Sequence, residues 1–155
     1  MAGEERARGS DVAARRRVMG VCAEATAAEL SGVVAGLGTV GPVREFRRPE
    51  TGLVMLRGRA GGDGGPFNLG EATVTRAAVA AEGAPTGFAY HLGRDARKAK
   101  DAALIDSLWQ APAHRAAIEV AILPIERRIA EAHELDARRT AATRVDFFTL
   151  VRGED

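Results

Sequence analysis

The residues best suited to chemistry follow a glycine-rich loop at residues 61–66 and lie in an alternating stretch. In this stretch Glu71, Thr73 and Thr75 share one parity, whereas Arg76 lies on the other parity among small apolar residues. Because successive side chains of a strand point to opposite faces, one face would carry a carboxylate and two hydroxyls. Such oxygen atoms could bind a ribose or a magnesium-bound phosphate. Periodicity alone favours a solvated sheet face, and a contact with a partner subunit is the other alternative.

The glycine-rich loop could itself present backbone donors to a phosphate. It does not match a P-loop, because no Gly-Lys-Ser/Thr sequence ends it and a strand, not a helix, is predicted to follow. The dinucleotide-binding glycine fingerprint also fails in this context. A plain connecting loop is therefore the favoured interpretation.

Two arginines are candidates for binding phosphate oxygens. Arg76 lies on the apolar parity, where a guanidinium needs a carboxylate or a phosphate as partner. A carboxylate partner within the chain would remove the reason to invoke phosphate. Arg94 precedes Asp95, which is most simply the N-cap of a helix, so a phosphate role for Arg94 is the lesser alternative. Asp146 lies in an apolar segment and is expected to face solvent or to pair with an arginine.

Metal binding and nucleophilic catalysis have no local support. His91, His114 and His133 show no metal-ligand spacing with each other or with Cys22. No Ser-His-Asp or Cys-His pattern is visible, so no catalytic residue is assigned and no metal site is predicted. The single cysteine excludes an internal disulfide and fits a reducing cytoplasm.

Length and composition indicate one cytoplasmic domain. Of the 155 residues 46% are apolar but only 5% aromatic, so alanine, valine and leucine should fill the core. We expect residues 1–9 to form a disordered extension and residues 10–153 to form the domain. The 22 basic and 21 acidic residues leave a net charge of +1, which argues against nucleic-acid and membrane partners. No segment approaches the roughly 20 apolar residues that span a bilayer.

The order of the elements predicts an α+β fold with two layers, a mainly antiparallel sheet of four to five strands packed with helices. A first helix capped by Ser10 or Asp11 should form an N-terminal helical hairpin with a second helix. A capping box from Thr26 to Glu29 should open that second helix.

Prolines and an acidic cap delimit the later helices. Asp95 should cap a third helix, and Pro112 should begin a further helical segment. Pro124 should interrupt that segment because proline lacks an N–H donor and clashes with the preceding turn. Residues 125–142 should then form a charged helix.

Strands are predicted at residues 43–48, 53–57, 69–80, 87–92 and 144–151. The first two should form a hairpin about a turn in which Gly52 supplies the backbone angle. Gly70 is assigned a structural role near the start of the third strand. The last strand, which contains Asp146, should join the sheet.

Six blocks of the sequence resemble the PhnG family, a subunit of the bacterial carbon–phosphorus lyase system. Each block alone is a weak signal, but the ordered set is specific and its last block is the most diagnostic. The blocks span roughly residues 12 to 153, in the order Glu50–Val54, Gly61–Phe67, Gly70–Ala77, Leu92–Asp95, Ala103–Asp106 and Arg144–Gly153.

The resemblance implies phosphonate breakdown in a core with PhnH, PhnI and PhnJ. With PhnI, PhnH and PhnL, the family supports attack of an alkylphosphonate on the anomeric carbon of ATP, which releases adenine and forms a ribose 1-phosphonate 5-triphosphate. ATP with magnesium would be a substrate of the complex, and no cofactor is expected on this chain alone. One cysteine cannot hold an iron–sulfur cluster. The missing P-loop separates the chain from the ATP-binding-cassette member.

Two roles remain open under this resemblance. In the first, the chain is a structural or accessory subunit that packs on PhnI and is not catalytic alone. In the second, Arg76, Glu71, Thr75 or Arg94 positions phosphate oxygens in a shared active site. The first is favoured because nothing in the sequence is poised as an acid, a base or a nucleophile. Exposed apolar surface should make the isolated chain self-associate.

Overall fold

Helices and strands are segregated along the chain in this computed structural model, which describes residues 2–60 and 64–143, with side chains at residue 9 and from residue 11 onward. The predicted α+β class is confirmed, and the division into an extension and one domain stays a prediction. None of the helices in these ranges is both long and apolar enough to cross a bilayer. In order, the elements are α1 (Ala2–Glu24), α2 (Ala27–Gly36), β1 (Val43–Arg59), β2 (Pro66–Ala81), β3 (Gly87–Leu92), α3 (Ala96–Gln110) and α4 (Pro112–Ala142).

The sheet of the described residues has three antiparallel strands in the order β1-β2-β3. β3 pairs only with residues 74–79 of β2. Beyond that point β1 and β2 continue together as a two-stranded ribbon, formed by residues 53–59 and 66–73. Three strands are fewer than the four to five predicted, and the segment 144–151 that should add another, with Asp146, lies outside the described residues.

The hairpin predicted around Gly52 is wrong, because its two strands are one continuous strand, β1. The register of β1 against β2 shifts twice between Glu45 and Glu50, so Pro49 lies at an irregularity of the strand. A bulge accommodates a residue without an N–H donor and leaves the strand unbroken. Gly52 is paired opposite Val74 within the ladder and does not form a turn.

The predicted hairpin of the two N-terminal helices is not confirmed. α1 is helical from Ala2, so the cap predicted at Ser10 or Asp11 is wrong. The capping box of α2 is confirmed: the Glu29 N–H donates to Thr26 Oγ1 (3.2 Å), and the Thr26 N–H donates to Glu29 Oε2 (2.7 Å). Both α1 and α2 pack against α3 and α4, which explains why two consecutive helices need not pair with each other.

The core is organised around α3, which contacts all three strands and the other three helices. Its predicted N-cap is confirmed, since Asp95 Oδ1 accepts the Lys98 N–H at 2.8 Å. Nearly every side chain from Ala99 to Trp109 is buried, including several that face the sheet and several that face other helices. Alanine, valine, leucine and isoleucine fill this core around a single tryptophan.

The predicted interruption at Pro124 is also wrong, because α4 passes through it as one helix. A proline inside a helix costs about 3 kcal/mol or more. Ile118, Ile122 and Ile125 are buried around this position, and each fully buried isoleucine contributes about 1.5–3 kcal/mol. Packing of this stretch against α1, α2 and α3 therefore offsets the local cost.

The start of β3 approaches the backbone of α3 unusually closely. A Cβ atom at Gly87 would overlap the carbonyl oxygen of Ala103 and the backbone of Ser107. The Ser107 hydroxyl holds this contact by donating to Pro85 O (2.7 Å) and accepting the Ala81 N–H (3.1 Å). Only glycine fits at position 87, because backbone atoms cannot move aside as a flexible side chain can.

We therefore expect Gly87→Ala to lower the free energy of unfolding by about 2–3 kcal/mol through overpacking. Gly32→Ala in α2 is the matched control, since its Cβ would meet no atom within 4 Å. That control should gain about 0.5–1 kcal/mol from helix propensity. Urea unfolding followed by circular dichroism measures both, and equal stabilities of the two variants would contradict the close approach.

Candidate functional site

The two faces of β2 have different surroundings, which separates the candidate residues. Ala77 and Val79 belong to the core beneath the helices, and Thr75 shares their parity. Arg76 and Ala78 point to the opposite face, where Ala78 is buried and the Arg76 side chain is about half exposed. Thr75 and Arg76 therefore cannot line the same site.

Thr75 has a structural role in the fold. Its side chain is fully buried, and Oγ1 donates to the carbonyl of Gly93 at 2.7 Å and lies 3.3 Å from Thr51 Oγ1. The Gly93 N–H in turn donates to Thr73 O at 2.9 Å. The hydroxyl predicted for a wet face or a ligand is thus committed to the turn that follows β3.

The same turn carries Arg94 and is held from its other side by His91. This imidazole is buried, with Nδ1 2.8 Å from Leu92 O and Nε2 3.1 Å from Asp95 O. Arg94 itself is exposed, and none of the ion pairs among the described residues includes it. The structure thus presents an accessible guanidinium on a well-anchored turn.

Arg76 has a carboxylate partner within the chain. Its Nε lies 2.7 Å from Glu50 Oε1, and that oxygen also accepts from Arg47 Nη1 at 2.7 Å. The hydrogen bond from Arg76 holds the pKa of Glu50 below its usual range. Both side chains of the pair are about half exposed, 54% and 48%. The pairing removes the original reason for expecting a phosphate at Arg76.

Glu71 lies on the ribbon, which also carries the exposed Arg57 and Arg59 beside several large apolar residues. It is exposed opposite Met55 of β1. The ring of Phe67 packs over Gly58, whose missing side chain leaves room for it. Five large apolar side chains of the ribbon are each 42–65% exposed: Leu53, Met55, Leu56, Phe67 and Leu69. This concentration of exposed apolar area is what a partner surface would cover.

We call the helices and the three-stranded part of the sheet the body. Its buried polar groups hold the fold together. The carboxylate of Asp106, on α3, accepts from Arg15 Nε (2.9 Å) and Nη2 (2.8 Å), and from the Phe88 N–H (2.8 Å). Burial raises the pKa of the Cys22 thiol to about 12, so it stays protonated at neutral pH. Within the described ranges no three His, Cys, Asp or Glu side chains form a group that could hold a metal ion.

The sequence analysis did not identify two of these features, the exposed apolar ribbon and the buried Asp106 carboxylate, although the sequence contains a signal for each. Leu53, Val54, Met55 and Leu56 are consecutive, which places apolar side chains on both faces of a strand and predicts that both faces become covered. Asp106 interrupts an apolar run in a helix, which indicates a buried carboxylate with a cationic partner.

Comparison with known proteins identifies the family. The family described as phosphonate metabolism protein PhnG matches residues 13–153. The chain belongs to the PhnG family. A relative from Rhizobium meliloti (strain 1021), the alpha-D-ribose 1-methylphosphonate 5-triphosphate synthase subunit PhnG, is 48% identical over 144 residues, or 93% of this chain and 92% of the relative. The resemblance carried by the six sequence blocks and the assignment to phosphonate metabolism are confirmed.

Proposed function

We propose that this chain is a structural or accessory subunit of a cytoplasmic alpha-D-ribose 1-methylphosphonate 5-triphosphate synthase. Together with PhnI, PhnH and PhnL, and in a core that includes PhnJ, it supports transfer of an alkylphosphonate to ribose C1 of ATP with release of adenine. ATP with magnesium is a substrate of the complex, and this transferase reaction needs no cofactor bound by the chain alone. The observation that carries the proposal is the exposed apolar ribbon.

The ribbon supports a docking role because the described residues leave its large apolar side chains exposed. Leu53 and Leu69 are 61% and 65% exposed, whereas residues of similar size in α3 are almost fully buried. Covering such area on a partner gains about 25 cal/mol per Å² before the costs of association. An isolated two-stranded ribbon is marginally stable, so a partner would also fix its conformation.

The buried titratable groups support an accessory rather than a catalytic role. A catalytic acid, base or nucleophile must reach substrate and change its proton or bonding state. Asp106 is occupied by Arg15 and a backbone N–H, both nitrogens of His91 lie against carbonyl oxygens, and Cys22 is a buried protonated thiol. Each is committed to the fold.

We expect the double variant Leu53→Glu with Leu69→Glu to abolish co-purification with PhnI, PhnH and PhnJ, because two carboxylates would be buried in the interface. The free energy of unfolding of the isolated chain should change by less than about 1 kcal/mol, since both positions are exposed. The same variant should reduce self-association of the isolated chain in light scattering.

Val120→Glu on α4 is the control for this experiment, since Val120 is 67% exposed but lies outside the ribbon. It should co-purify like the unmodified chain. Normal assembly of the ribbon variant would contradict docking through the ribbon.

A second role is favoured by one observation, the exposed Arg94 on its anchored turn. In this alternative Arg94 reaches a shared active site and binds triphosphate or phosphonate oxygens, with Arg76, Glu71 and Thr75 as lesser candidates. Guanidinium groups are well suited to this because they bind phosphate oxygens bidentately. Arg76 is weaker here because Glu50 already occupies it.

Arg94→Ala and Arg76→Ala in the reconstituted synthase distinguish the two roles. For an accessory subunit we expect both complexes to assemble and turn over within about twofold of the unmodified enzyme, since exposed charges contribute about 0–1 kcal/mol. Arg97→Ala, also exposed, is the control for a lost charge near Arg94. An assembled complex whose turnover falls at least tenfold with Arg94→Ala alone would establish the shared site instead.

A further inference from the structure

A cleft runs between α1 and the start of β3, on the body of the protein and away from the ribbon. It encloses about 540 Å³ and is lined by Val12, Arg15, Arg16, Met19 and Phe88. Its size falls in the range of pockets that take up a few side chains. Val12, Met19 and Phe88 form the apolar floor of the cleft, and Arg15 and Arg16 form its basic wall.

Two side chains of the apolar floor are exposed to solvent and are not buried in the core. Val12 is 68% and Phe88 51% exposed, although both are carried by elements that pack firmly elsewhere. Phe88 lies on β3 opposite Ala78, and its side chain is on the other face of the strand from Gly87, which contacts α3.

The two arginines of the basic wall differ in their partners. Arg15 is neutralised by Asp106, with two hydrogen bonds of 2.9 and 2.8 Å. Asp11, the acidic residue nearest to Arg16 in sequence, gives its carboxylate to Arg115 of α4 at 2.7 Å. Arg16 is exposed and takes part in none of the ion pairs found in the described part of the chain. Arg16 therefore leaves a positive charge at the cleft that no carboxylate among the described side chains neutralises.

We propose that this cleft binds an acidic amphipathic helix of a different polypeptide in the assembled synthase, with apolar side chains against Val12, Met19 and Phe88 and a carboxylate on Arg16. The inference rests on the proposed subunit role. A helix fits better than an added strand, because the Phe88 N–H of the β3 edge is already taken by Asp106. A helix laid alongside α1 presents anchors every three to four residues.

A second copy of this chain does not suit the cleft. A symmetric contact centred on the cleft would bring the Arg16 charges of the two copies close together, and like charges across an interface are unfavourable. Charge complementarity therefore selects an acidic partner, and the ribbon remains the surface through which identical chains would associate.

Photo-crosslinking in the assembled synthase tests the occupant. A photoreactive amino acid in place of Val12 should link to one segment of another subunit that carries Asp or Glu among apolar residues at helical spacing. Linkage to a second copy of this chain, linkage to a segment without acidic residues, or no intermolecular linkage would overturn the proposal.

Charge reversal tests the electrostatic part. Arg16→Glu should weaken association about tenfold at low salt, because a favourable charge pair becomes a repulsive one. Arg48→Glu on β1, the far edge strand, makes the same charge change at a site 91% exposed and should leave association unchanged. Equal effects of the two variants, or none from Arg16→Glu, would overturn the cleft proposal. If assembly fails only in the ribbon variant, Leu53→Glu with Leu69→Glu, that failure bears on the proposed function, and the Arg16→Glu experiment still tests the cleft.

Discussion

The carboxylate of Asp106 is buried, and a buried carboxylate destabilises a protein unless charged and hydrogen-bonded partners surround it. Arg15 and the Phe88 N–H provide those partners, so one side chain of α3 joins α1 to the edge of β3. Gln110 Nε2 donates to the Asp106 carbonyl at 3.1 Å and to Thr86 O at 3.1 Å, which ties the same turn of α3 to the loop before β3. Gly87 permits the close contact. The start of the β3 edge is thereby occupied at Phe88.

With this arrangement the body and the ribbon have different roles. The body uses its buried polar groups, Asp106, His91 and Thr75, to fix helices and turns. The ribbon carries large apolar side chains that the described part of the chain leaves exposed. This division supports the proposed docking role of the ribbon, and the chain belongs to a family whose relative is named as a synthase subunit.

Features set by neighbouring residues were predictable from the sequence, and features set by distant packing were not. The capping box at Thr26, the Asp95 cap and strand β3 depend on contacts a few residues apart, and all three are confirmed. Pro49 and Pro124 were expected to end their elements, but a register shift and a row of buried isoleucines keep β1 and α4 continuous. Alternation separated the two faces of β2, but it favoured solvent for the face of Thr75, which is fully buried beneath the turn at Gly93.

Amide hydrogen exchange of the ribbon, measured in the free chain and in the assembled synthase, tests the central claim most directly. If the ribbon is the docking element, residues 53–57 and 67–70 should exchange readily in the free chain and at least about tenfold more slowly in the complex. The amides of α3 should be protected in both states. Ribbon exchange that is unchanged by assembly, with new protection confined to other surfaces, would contradict the account.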